Sequence, residues 1–143
     1  MSDFSRFMKK NKTKTPNQFY AATKSLADES GEPLKWEIRP IPTSEVEGIR
    51  SECTEEIPIK GKPSLYREKI DSGRYNSALL VASVVSPDLN DAGLQDSYGV
   101  KEPDDLLKEM IDNPGEYTDF ILFVQTLNGF DITLEEKIGE AKN

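Results

Sequence analysis

Residues 103–129, PDDLLKEMIDNPGEYTDFILFVQTLNG, contain two complete helix signatures in succession. Pro103 suits a first helical position, because its fixed φ is already helical and its missing N–H would have had no partner there. Asp104 and Asp105 follow, facing the positive end of the helix dipole. Leu106, Leu107, Met110 and Ile111 then recur at helical spacing. Asn113-Pro114 stops this helix and starts the next, in which Tyr117, Phe120, Ile121, Val124 and Leu127 form the apolar stripe and Gly129 ends the run. The short connection predicts two antiparallel helices.

Working upstream, Asn90 or Asp91 can cap a short helix through Leu94 that Gly99 closes. Asp71 or Ser72 can cap a longer one. Its Tyr75, Ala78, Leu79, Ala82 and Val85 keep helical spacing, and Leu80, Val81 and Val84 fill another face, so it is expected to be buried nearly all round. A buried strand over 78–85 is the competing assignment, since the run is short and valine-rich, and the longer periodic pattern favours helix. Ser44 with Glu47 makes a capping-box pattern ahead of a helix carrying Val46, Ile49 and Cys53 on one side. Cys53 then reads as a small core residue. Residues 54–69, broken by Pro58, Gly61 and Pro63, read as an irregular, mobile loop.

Before residue 40 the period changes to two. Leu34, Trp36 and Ile38 alternate with Lys35, Glu37 and Arg39, giving a strand with one apolar and one charged face. Residues 18–27, QFYAATKSLA, form the second strand, and the turn residues Asp28 to Pro33, with Gly31 available for positive φ, join the two as a hairpin over 18–39. Pro40 and Pro42 end the second strand by removing ladder donors. The expected fold is therefore α+β and mainly α, an N-terminal hairpin packed on a small helical bundle. One domain spans 15–130, the length of an ordinary single domain. Residues 1–14 form a basic arm or short helix, with Phe4, Phe7 and Met8 on one side. Residues 131–143 read as a frayed helix or flexible tail.

Composition narrows the function. The 143 residues contain no histidine and one cysteine. That removes intramolecular disulfides, Ser-His and Cys-His nucleophile pairs, and most transition-metal sites. No run reaches the ~18 apolar residues of a membrane span, and the N-terminus lacks the apolar core of a signal peptide, so a cytoplasmic protein without a membrane partner is expected. Net charge is −8, which argues against nucleic acid as partner. The charge is uneven. Arg6, Lys9, Lys10, Lys12 and Lys14 against Asp3 give the arm +4, leaving −12 on the remainder.

Short motifs carry no chemistry. Gly61-Lys62 is followed by Pro63 where a phosphate-binding loop needs Ser or Thr. Residues 88–93, DLNDAG, begin like a calcium loop, but Ala92 and Gly99 stand where an oxygen ligand and a bidentate glutamate belong. The doublets Asp104/Asp105 and Glu135/Glu136 diverge by about 100° on a helix and cannot share a proton. No catalytic, cofactor or metal residue is assigned. Phe4, Phe7 and Met8 remain as partner-binding candidates, as core residues or as contacts to another subunit.

Three segments resemble the XkdN-like family of phage tail assembly chaperones: SLADESGEPLKWEIRPI (25–41) with the helix ending in EC (52–53); ASVVSPDLNDAGLQDSYGV (82–100); and LLKEMIDNPGEYTDFILFVQTLNGF (106–130). The resemblance implies a non-catalytic role in tail building. The implied partners are the tape-measure protein, kept soluble while the tube polymerises, then the tail tube protein, and further copies of the chain itself. It implies no cofactor. The alternative expectation is a minor structural or tail-completion protein retained in the particle; a carboxylate-dependent hydrolase would need two converging acids.

Overall fold

The computed structural model describes residues 3–130. After two short 3-10 turns, Asp3–Phe7 and Lys9–Asn11, the elements follow in the order β1 (Gln18–Tyr20), β2 (Trp36–Ile38), α1 (Thr43–Glu52), β3 (Thr54–Pro58), β4 (Tyr66–Ile70), α2 (Ser72–Ser83), β5 (Val84–Ser86), α3 (Ala92–Ser97), α4 (Pro103–Met110) and α5 (Pro114–Leu127). The fold is α+β, mainly α. Strands β1, β2 and β5 form an antiparallel sheet in that order, and β3 and β4 pair separately as a hairpin.

Strand β2 lies at the centre. Trp36 and Ile38 are buried while Glu37 between them is not, the alternation expected of a strand with one solvated face. Gln18 pairs with Ile38 and Tyr20 with Trp36, so Tyr20 joins the inner face, where its ring stacks on Phe123 at 4.2 Å and on Phe120 at 5.5 Å. Trp36 meets Phe120 edge-on at 6.0 Å. Leu80 of α2, Leu106, Leu107 and Met110 of α4, and Val124 of α5 complete the core. The two C-terminal helices form as their signals dictate: Pro103 and Pro114 stand in the first turns, and the Asn113 side chain accepts a hydrogen bond from the Glu116 N–H. Gly129 takes a φ of +87°, a conformation costly to residues with a Cβ.

Several expectations need correction. The first strand stops at Tyr20 rather than continuing to residue 27. Beyond it Thr23 and Lys24 turn toward α5, so polar contacts to Glu116 replace ladder bonds; the Leu34 N–H to Leu26 carbonyl bond (2.8 Å) and an Ala27–Pro33 bridge rejoin the hairpin near its turn. Leu34 lies outside β2 and is exposed, leaving the inner face to Trp36 and Ile38. Helix α1 starts at Thr43 after Pro42, so the Ser44–Glu47 box goes unused; the N–H groups of Glu45 and Val46 donate to the Pro42 carbonyl instead. Helix α2 ends at Ser83, and Val84–Ser86 leave it as a strand with Val85 exposed. Two β-branched residues ahead of Ser86-Pro87 explain the switch, since a residue before proline avoids the helical region.

Residues 54–69, expected to be irregular, mostly form β3 and β4, paired from Thr54–Ile70 to Pro58–Tyr66. Asp71 donates its backbone N–H to the Cys53 carbonyl at 2.8 Å, closing the excursion at its base. Cys53 is buried there, as a core residue should be. The expected C-terminal tail, with Glu135 and Glu136, lies outside the described residues.

Candidate interaction surface

The basic arm carries Phe4 and Phe7 on its first 3-10 turn and Met8 in the extended step before the second. Their exposures are 78%, 84% and 54%, so none belongs to the chain's own core. Between its end and the body, Lys9, Lys12 and Lys14 border an open cleft against Pro40, Ile41 and Pro42. The proline segment is itself anchored. The Asn128 side chain, at the end of α5, accepts the Ile41 N–H at 2.6 Å and donates to the Val124 carbonyl at 2.9 Å. Arg39, just before it, donates from Nε to the Ala82 carbonyl at 2.9 Å and pairs with Glu45. A cation at the carbonyl end of α2 also complements the helix dipole.

The hairpin β3–β4 is a second exposed feature, and sequence reasoning missed it. Cross-strand partners share a face, so Glu56, Glu68, Pro58 and Tyr66 lie on one side of it. Glu56 and Glu68 stand directly opposite each other, and like charges so placed repel. With Glu47, Arg50, Ser51 and Thr54 they line an open groove of about 420 Å³. At the far end Leu65 and Tyr66 are more than half exposed. The available signal was the β-branched content of Ile57, Ile59 and Ile70 around the turn glycine Gly61, whose φ is +79°.

A polar clasp joins sheet and helices nearby. Glu116 accepts hydrogen bonds from the Thr23 hydroxyl and the Lys24 N–H, both at 2.8 Å. The Lys24 N–H foremost, then Thr23, holds the Glu116 carboxyl below its ordinary value. Burial, with Asp119 and Glu116 nearby, raises the Tyr20 hydroxyl. The acids singled out in the sequence are occupied structurally. Asp88 accepts the Asn90 N–H, and Asp91 caps α3 by accepting the Leu94 N–H. Asp104 and Asp105 stand in the first turn of α4. Gly61-Lys62 forms part of the hairpin turn, where Lys62 N–H donates to the Ile59 carbonyl.

What the structure presents is thus surface: exposed apolar groups on a cationic arm, and a hairpin with Glu56 and Glu68 paired on one face. A family model described as "Phage XkdN-like tail assembly chaperone protein, TAC" matches residues 4–142. The chain belongs to this family of XkdN-like tail assembly chaperones. The chaperone is 26% identical over 121 residues to the phage-like element PBSX protein XkdN of Bacillus subtilis (strain 168), covering 85% of this chain and 80% of the relative. It matches the uncharacterized protein YqbN of the same organism to the same extent. The crystal structure of the protein yqbn superposes with a TM-score of 0.73 at 21% identity, covering 92% of this chaperone and 99% of that chain; at this identity the likeness concerns the fold. A role in phage tail assembly follows from the family, and it places the chain's work in contacts to other proteins. Among the described residues no helix is long and apolar enough to cross a membrane.

Proposed function

We propose that this chaperone acts in the bacterial cytoplasm by binding the tape-measure protein and keeping it soluble while the tail tube assembles, without catalysing a reaction. The observation that carries this reading is family membership over nearly the whole chain. The surface supports it physically. A tape measure is a long, mainly helical chain whose apolar stripes need cover before assembly, and exposed apolar side chains on a charged protein suit transient cover. A net charge of −8 on each copy keeps coated tape measures soluble and apart from one another. Several copies bind along one tape measure, and Phe4, Phe7 and Met8 join neighbouring copies. The tail tube protein then displaces them.

The test is co-expression with the tape-measure protein of the same operon, followed by affinity capture in moderate salt, where purely charge-driven contacts fade. Capture of soluble tape measure, with aggregation when the chaperone is omitted, is expected. A tape measure that is soluble alone and not captured would overturn the proposal, and recovery of the chain in finished particles by mass spectrometry would assign it to the tail structure instead.

A further inference from the structure

We propose that the cationic arm of one copy docks on the acidic face of the β3–β4 hairpin of a second copy. This deepens the self-association in the reading above by naming the acceptor surface, and it is tested without the tape measure. Three observations meet here.

Among the described residues the arm's lysines form no ion pair, the sole one being Arg39–Glu45, and Lys9 and Lys10 are exposed beside Phe7 and Met8. One face of the hairpin has the opposite need. Glu56 faces Glu68 across the strands, Glu47 borders the same groove, and Arg50 is the one cation lining it. Cations from outside would relieve that repulsion. The apolar chemistry also matches, because Tyr66 shares the face of the two glutamates and is 57% exposed, offering its ring to Phe7 or to a lysine ammonium.

The chain's own arm does not fill this groove; its lysines lie along Pro40–Pro42. Arm and hairpin are different patches, so the contact is made either reciprocally within a two-fold pair or head to tail along a row of copies.

The experiment uses the purified full chain alone, in sedimentation velocity over a concentration and salt series. One variant reverses the arm (Lys9→Glu, Lys10→Glu, Lys12→Glu) and another the groove (Glu47→Lys, Glu56→Lys, Glu68→Lys). All six positions are exposed, and circular dichroism checks that each variant folds. Wild type is expected to associate more weakly as salt rises, and each variant alone to have its dissociation constant raised at least about tenfold, or about 1.4 kcal/mol. Mixing the two variants restores association, since every arm–groove pairing between them is complementary. Monomeric wild type, variants that associate like wild type, or folded variants that stay apart when mixed would each overturn the proposal. Monomeric wild type that still captures tape measure, and loses capture with the arm reversed, would assign the arm to the tape measure and leave the chaperone reading standing. Self-association with rescue but no capture would do the reverse.

Discussion

Glu116 shows how one side chain ties two layers together. It sits in the first turn of α5, where a carboxylate is favoured by the dipole, and takes both the Thr23 hydroxyl and the Lys24 N–H. These donors favour the charged form, so the folded value lies below the ordinary 4.5. A depressed folded value adds stability that is complete above the unfolded value and is lost as pH falls through the folded one. Glu116→Gln keeps one acceptor and loses the charge. Differential scanning calorimetry from about pH 3 to pH 7 should give the variant a lower Tm near neutrality and a smaller loss on acidification. Parallel curves for the two proteins would show that the clasp is electrostatically idle. Nothing in the sequence announced this contact, because Thr23 and Glu116 are 93 residues apart and Thr23 fell in the middle of the expected strand 18–27.

Among the elements, legibility follows how one-sided the burial is. Helices α4 and α5 were readable because capping residues, prolines and a buried stripe all agree, and Trp36 and Ile38 marked β2 for the same reason. The hairpin β3–β4 was not readable. Glu55, Glu56, Arg67, Glu68 and Lys69 leave both faces solvated, so no alternation appears. The candidate surface was legible only in its arm: Phe4, Phe7 and Met8 stood out, whereas the acceptor groove depends on cross-strand register. Because the Asp71 N–H closes on the Cys53 carbonyl, the hairpin is an excursion the core does not depend on. Replacing residues 55–69 by Asn-Gly, a two-residue turn between the paired Thr54 and Ile70, should shift Tm by less than about 4 °C while abolishing self-association. A variant that fails to fold would show that the hairpin supports the body.

At the scale of the whole molecule, the body is held by few large groups. Phe120 is fully buried and meets Trp36, Tyr20 and, through the core, α4. Phe120→Ala is expected to cost about 3–5 kcal/mol, a large part of the 5–15 kcal/mol typical of a domain. Urea unfolding should show the midpoint falling sharply; a loss under about 1 kcal/mol would mean that sheet and helices are joined elsewhere. The same arrangement has a practical side. Trp36 is the chain's single tryptophan and is 2% exposed, set against Phe120, whereas Phe4, Phe7 and Met8 of the arm and Leu65 and Tyr66 of the hairpin are exposed. Its emission therefore reports on the interior alone: it shifts to the red when the body opens and stays still when copies or partners meet at the periphery. Intrinsic fluorescence and a size measurement, taken on one sample, separate unfolding from assembly.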